Sequence, residues 1–253
     1  MLKYVGVWMM TLCVVRLNGT FSNLAFQKPA TMSTVFDANT TPSCAVDGNN
    51  GTEWFSDFGS LTKYGDMDPW WMVDLRGYFH IHDVIITNCD HYRLWQHLHS
   101  FTIDMFTENP IGCARATQVQ CYNRTDPVGL GETVQFKCRS PVTGRFVRIK
   151  KWRMVDTYDV LPLCEVQVLG TRATGCAFTR RFHRVRETRL NSAYDNISGV
   201  ADVMNCASRC GHGDCLAFNY NQNSQQCQLI SAPTFKDSTT MTSSWDYYGV
   251  DLC

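Results

Sequence analysis

Neither sign of charge is in excess: the 253 residues carry 23 Lys+Arg and 23 Asp+Glu. A chain that grips nucleic acid through its phosphates needs a basic surplus, so that class of partner is excluded at the outset. Long apolar runs are missing too. Residues 4–15 form an apolar run of twelve between Lys3 and Arg16, well short of the ~20 that a bilayer-crossing helix needs. The run reads instead as the core of a secretory signal peptide over residues 1–19, with the small Gly19 at the cut and a mature chain opening near Thr20. Catalytic motifs are absent as well: there is no Gly-rich phosphate loop, no His-Glu-x-x-His and no Gly-x-Ser-x-Gly. A non-catalytic protein is expected. Charged residues make up only 18% of the chain against 44% hydrophobic and 12% aromatic, which excludes a largely disordered one.

What the chain has is cysteine. Thirteen are present, more than a cytosolic protein keeps without a thiolate metal array, and they point to an oxidising compartment and a secreted, extracellular protein. Removing Cys13 with the signal leaves twelve in two equal sets, Cys44, Cys89, Cys113, Cys121, Cys138, Cys164 and Cys176, Cys206, Cys210, Cys215, Cys227, Cys253. Two separately stapled domains are expected, residues 20–170 and 176–253, joined by a linker at 171–175. Sequons at Asn39, Asn50, Asn123 and Asn196 fit a glycoprotein.

The first domain reads as strands. Apolar residues alternate with polar ones or run in short blocks at 70–75, 80–87, 100–106, 133–138, 145–150 and 164–169. No helical period interrupts them, so the expected fold is mainly β, an antiparallel sandwich that protects its edges by folding two sheets together.

The blocks Asn23-Leu24-Ala25-Phe26-Gln27-Lys28-Pro29-Ala30, Ala45-Val46-Asp47-Gly48-Asn49 and Pro69-Trp70-Trp71-Met72-Val73-Asp74-Leu75 carry a resemblance. So do Ile86-Thr87-Asn88, Gly131-Glu132-Thr133-Val134, Arg145-Phe146-Val147-Arg148-Ile149 and Leu163-Cys164-Glu165-Val166. Together they resemble the fucolectin (F-type lectin) family, whose fold is a discoidin-like (F5/8 type C-like) jelly roll. The resemblance covers 23–170.

Asp47-Gly48-Asn49 sets a carboxylate, a turn residue and an amide oxygen side by side, and Glu165 adds a distant carboxylate. Calcium takes six to eight oxygens of this mixed kind. A Cys44–Cys164 disulfide would clip the two segments together. The resemblance implies a structural calcium held by Cys44 and Cys164 through their carbonyls and by Asp47, Asn49 and Glu165, with a further ligand between Thr52 and Ser56. The alternative is an ordinary turn at 47–49, and a glycan on Asn50 would crowd the site. Six cysteines allow fifteen pairings. The resemblance implies Cys121–Cys138, and with Cys44–Cys164 this leaves Cys89–Cys113.

The family's fucose pocket is similar to a histidine followed by Arg-x-Asp and another basic residue, whose donors converge on sugar hydroxyls. Here Cys89 takes the place of the arginine, the family's adjacent cysteine pair is missing, and residues 60–68 hold no histidine. Asp90, His91 and Arg93 are the candidate sugar-binding residues, with Tyr92 and Trp95 as new contacts and His97 and His99 extending a polar rim. The alternative is a scaffold that has lost fucose recognition.

In the second domain, Val200, Val203, Met204 and Ala207 lie at helical spacing, predicting a helix over 200–209 stopped by Gly211. Strands are expected at 216–220, 227–230 and 246–250. Cys206-x3-Cys210-x4-Cys215 followed by Leu216-Ala217-Phe218-Asn219-Tyr220 and Cys227-Gln228-Leu229 resembles a PAN/apple domain, a small disulfide-rich α+β module. That resemblance implies bridges Cys176–Cys253, Cys206–Cys227 and Cys210–Cys215, and an interaction module for proteins or carbohydrates. Arg180, Arg181, His183, Arg184, Arg186 and Arg189 form a basic stretch. It reads either as a polyanion-binding face or, given seven basic and seven acidic residues from Cys176 onward, as a balanced solvated one.

The expectation is therefore a secreted, calcium-assisted, lectin-like binding protein for fucose-type or related glycans, or glycoproteins, on cell or microbial surfaces. A protein partner is added through the PAN/apple domain. The alternative is a protein-binding or matrix adhesion factor whose jelly roll has lost sugar binding.

Overall fold

A computed structural model describes residues 22–52, 59–91, 93–111, 113, 116–173, 182–210, 215–231 and 239–250. In the N-terminal part the strands are β1 (Ser22–Asn23), β2 (Ala30–Met32), β3 (Ser60–Leu61), β4 (Trp70–Thr87), β5 (Phe101–Phe106), β6 (Val119–Arg124), β7 (Thr133–Lys151), β8 (Pro162–Leu163) and β9 (Glu165–Arg172). They form an antiparallel sheet in the order β1-β9-β4-β7-β5-β6, with β2 also on β4 and β3 paired with β8.

Two strands are longer than the sequence pattern suggests. The blocks at 70–75 and 80–87 are halves of β4, and those at 133–138 and 145–150 are halves of β7. The ladder between β4 and β7 shifts register between Asp74 and Phe79. Arg76 lies there at φ 60°, its N–H bonded to Asp74 Oδ1, while Arg145 clamps the same carboxylate with two bonds of 2.7 Å. A pinned bulge of this kind bends a strand without ending it. The first half of β4 pairs with β2, the second with β9. Trp71 and Val73 from one half and Val84 and Ile86 from the other enter a single core with Phe101, Ile103, Phe136, Val147 and Ile149. The fold is a jelly-roll β-sandwich, and each fully buried side chain in it contributes about 1.5–3 kcal/mol.

The C-terminal strands are β10 (Phe182–Val185), β11 (Thr188–Leu190), β12 (Asp195–Ile197), β13 (Ala217–Asn221), β14 (Gln226–Ile230), β15 (Thr239–Met241) and β16 (Asp246–Val250), with helix α1 (Val203–Cys210). A five-stranded sheet runs β10-β16-β13-β14-β12. The helix is stapled to it by Cys206–Cys227 and closed by Cys210–Cys215, the expected pairs. Phe218 stacks on Tyr248 at 4.8 Å between ring centroids and meets Phe182 edge-on. The helix begins at Val203, not Val200. Asp202 caps it by accepting the Asn205 N–H at 2.8 Å, whereas Val200 is buried with its N–H on Gln225 O. Arg184 is paired with Asp246, and Arg189 lies over the Trp245 ring and bonds Gln228, so these two arginines of the basic stretch are already engaged. Arg180, Arg181 and the expected Cys176–Cys253 bridge lie outside the described residues.

Candidate functional site

The 3-10 turn Pro42–Val46 anchors the first half of the site. Its Ala45 and Val46 are in the core, Trp71 Nε1 donates to Pro42 O at 2.9 Å, and Gln27 N–H bonds Val46 O at 2.7 Å. The chain leaves this turn at Asp47 on a fixed path. Asp47 Oδ1 accepts the Asn49 N–H at 2.8 Å, and Asn49 Oδ1 accepts that of Gly51 at 3.0 Å. Gly48 sits between them at φ +85°, a conformation that favours glycine, and a Cβ there would also press on the Phe26 ring at 2.5 Å.

Glu165 opens β9 opposite Thr87 and is 1% exposed. Neither carboxylate oxygen has a hydrogen-bond partner among the described residues. Burial, and then the negative charge of Asp47, push its pKa up to about 8; the nearby Gly48 N–H favours the charged form without bonding it. The sequence-predicted Asp47 and Glu165 are thus brought together.

The clip that joins them is not the expected one. Cys164 is bonded to Cys89, with Cα atoms 5.1 Å apart, and Cys44 is a free thiol 3.3 Å from Asn39 O. Both the Cys44–Cys164 and Cys89–Cys113 expectations are corrected by this. The reason is register: Cys164 N–H bonds Thr87 O, which sets Cys164 beside the exit of β4, where Cys89 follows two residues later. Packing of the 3-10 turn against β9 does the work assigned to the disulfide. Cys121–Cys138 is present as expected.

Two like-charged carboxylates, one buried without a donor among the described residues, beside a turn rich in amide and carbonyl oxygens, fit a hard divalent cation in their chemistry. Among the described residues no three His, Cys, Asp or Glu side chains cluster to hold a metal, so remaining ligands would be amide or carbonyl oxygens. Of the span expected to supply a further ligand, residues 53–56 lie outside the described residues.

From the acidic pair the chain runs directly to the second half of the site. Gln167 Nε2 donates to Asn50 Oδ1 at 3.0 Å, and Thr52 O accepts the Asp90 N–H at 2.8 Å. The loop bearing Asp90, His91 and Arg93 is organised by Asn88, which is fully buried. Its amide donates to Trp95 O, Val128 O and Gly129 O at 2.8–3.1 Å, and its Oδ1 accepts the Cys89 N–H. His91 O accepts from Leu94 and Trp95, closing a turn that leaves Asp90 and Arg93 exposed. His91 Nδ1 accepts the Arg93 N–H at 3.3 Å. Burial and the Arg93 charge lower the His91 pKa, favouring a neutral ring with its proton on Nε2, a donor suited to a hydroxyl. Cys89 is buried in its disulfide and offers no donor in the arginine's place. Tyr92 lies outside the described residues.

His97 and His99 turn inward instead of forming a rim. Lys151 Nζ, fully buried, donates to Asp159 Oδ1 at 2.6 Å and to His97 O at 2.5 Å. His97 Nδ1 lies 3.0 Å from Asp159 Oδ1 and His99 Nε2 3.2 Å from its Oδ2. Burial, then the Lys151 charge, depress the His99 pKa. This network supports the loop from beneath. Sequence reasoning passed over Lys151, although strand parity sets it on the inner face with Val147 and Ile149.

The family model for the F5/F8 type C (NedA-like, galactose-binding) domain matches residues 44–149, and that for the PAN domain matches 176–253. Fold and sequence together define a galactose-binding-domain sandwich followed by a PAN module. A fucolectin of Anguilla anguilla is 32% identical over 164 residues, covering 59% of this chain and 91% of its own length. Fucolectin-6 of Anguilla japonica is 30% identical over 155 residues, covering 58% and 74%. A solved f-lectin (fucolectin) from the serum of Morone saxatilis, the striped bass, shares the fold at a TM-score of 0.53 and 16% identity, covering 93% of this chain and all of that one. The chain belongs to the fucolectin family.

Proposed function

We propose that this protein is a secreted, non-catalytic lectin whose sandwich binds fucose-type glycans at the Asp90–Arg93 loop, with a calcium ion stiffening that loop. The observation that carries the reading is the buried Glu165, without a hydrogen-bond partner among the described residues and close enough to Asp47 to feel its charge, one short segment away from the Asp90 N–H. Asp47, Asn49 and Glu165, with the carbonyls of Cys44 and Cys164, would hold the ion. When bound, calcium supplies positive charge that neutralises the two carboxylates and fixes the 47–52 segment. Asp90 would accept from sugar hydroxyls, while Arg93 and His91 Nε2 donate to them. Membership of a family named for binding fucose supports the ligand class. The PAN module would add a protein or glycan contact.

A glycan array probed with and without a calcium chelator tests this. Saturable binding to fucosylated glycans, competed by free L-fucose and weakened by the chelator, is the expected result. Absence of all sugar binding would reject it.

One observation favours a second reading, an adhesion factor with a silent sugar site: Cys89 stands where the family resemblance expects a sugar-binding arginine, and it is locked in a disulfide. Capture of a protein partner together with a blank array would support that reading.

A further inference from the structure

Three exposed aromatic rings stand in contact on loops capping the sandwich. Phe36, Tyr64 and Tyr158 are 39%, 50% and 69% exposed, and their centroids are 5.5 and 5.8 Å apart in two edge-to-face pairs. Folding does not account for them, because each ring left in water forgoes much of the roughly 1.5–3 kcal/mol that full burial supplies. The loops that carry them are nonetheless tied together. Phe36 N–H bonds Leu61 O at 2.9 Å and Gly65 N–H bonds Thr157 O at 2.7 Å. Lys63 N–H bonds Thr34 Oγ1, and Asp66 Oδ2 accepts from both Ser33 and Thr34 hydroxyls at 2.5 and 2.7 Å. Tyr158 N–H is held by Asp156 Oδ1 at 2.7 Å. The backbone that carries the rings is therefore held in place before any ligand arrives, which lowers the entropic cost of binding.

The ladder is continuous with the candidate sugar loop. Leu61, Leu94 and Val160 form one buried cluster. Leu94 directly follows Arg93, Leu61 precedes Tyr64 on the same loop, and Val160 lies two residues beyond Tyr158. His97 and Asp159 join the same two segments by a second contact of 3.0 Å. Charges beside the rings are of both signs, with Asp37, Lys63 and Asp156 all exposed, so no single-sign field selects an ionic ligand.

We propose that Phe36, Tyr64 and Tyr158 form a second subsite of the lectin site, where neutral pyranose rings beyond the terminal sugar stack. One face of a pyranose presents C–H groups that suit the negative face of an aromatic ring. The hydroxyl edge of the same sugar meets Asp37, Lys63 and Asp156. The proposal rests on the lectin reading and gives it a ligand size: an oligosaccharide, not a lone monosaccharide.

Calorimetric titration of the whole protein in calcium, with L-fucose and with a neutral fucosylated trisaccharide, tests it through the ratio of the two affinities. The wild type is expected to prefer the trisaccharide by about tenfold or more, the Tyr64→Ala/Tyr158→Ala double variant by no more than about twofold, and Tyr158→Phe to keep the preference. Should the double variant fail to fold, Tyr158→Ala alone, which removes the most exposed ring, carries the same comparison. A ratio unchanged by losing the rings overturns the subsite and leaves the lectin reading standing. A wild type that binds neither sugar overturns both, as does capture by the ladder of a protein that no sugar displaces.

Discussion

Lys151 Nζ lies 2.6 Å from Asp159 Oδ1, and the two side chains are 0% and 1% exposed. Burial alone would raise the Asp159 pKa, but hydrogen bonds from His97, Lys151 and the Val155 N–H outweigh it and hold the carboxyl well below its usual range. Burial also lowers the Lys151 pKa, with Asp159 pulling it back. Such a pair costs desolvation to build, and it costs more to break on one side.

Lys151→Met is therefore expected to destabilise the sandwich by about 3–5 kcal/mol, because Asp159 is left charged, buried and short of a partner. The double variant Lys151→Met/Asp159→Leu should recover most of that loss. Urea midpoints of the four proteins in this cycle measure it. A double variant as unstable as the single one would mean that the Asp159 bonds to His97 and the Val155 N–H, more than its pairing with Lys151, hold this part of the sandwich.

Asn88 gives a second prediction. Its amide is the common donor for the carbonyls of Trp95, Val128 and Gly129. Asn88→Ala should cost about 1–3 kcal/mol for the buried carbonyls left unpaired, and should loosen the loop that carries Asp90 and Arg93. Amide exchange at Leu94 and Trp95 is expected to speed up while that of β5 is unchanged. Asn88→Asp keeps the shape but cannot donate to those carbonyls, so it should not rescue.

Much of this was legible beforehand, for identifiable reasons. Alternation along 145–150 disclosed a strand with Val147 and Ile149 inward, since a period of two is local. The joining of 70–75 to 80–87 was not legible, because the bend depends on Arg145 reaching Asp74 from another strand. Asp47 and Glu165 could be matched by chemistry, yet the cysteine pairing went astray because it depends on strand register. His97 and His99 looked like rim residues. Their true partner, Asp159, lies 62 positions from His97, a relation no local pattern carries. The aromatic ladder was hidden for the same reason.

The disulfide topology is directly checkable. Alkylation of the native, unreduced protein should label Cys44, the free cysteine among the described residues, which is half-buried. A non-reducing digest should contain a peptide linking Cys89 to Cys164 and another linking Cys121 to Cys138. Recovery of a Cys44–Cys164 peptide would contradict the register argument. Cys44→Ser is expected to keep the fold and sugar binding, because no covalent bond depends on it.

The acidic pair predicts how stability and calcium respond to pH. Glu165 has its folded pKa raised to about 8 by burial and by Asp47, against roughly 4.3 in an unfolded chain. Between those values the folded, metal-free protein holds a proton that the unfolded chain has released. Its stability should thus be greatest below the unfolded value and decline as pH rises toward 8, at up to about 1.4 kcal/mol per pH unit. Calcium must displace that proton, so its apparent affinity should climb from pH 6 to pH 8, with proton release seen as a buffer-dependent heat in calorimetry. Glu165→Gln removes the titrating group: the metal-free variant should lose the pH dependence and melt higher than the wild type at pH 8, while calcium no longer raises its Tm. If calcium stabilised Glu165→Gln as strongly as the wild type, the ion would be held elsewhere in the molecule.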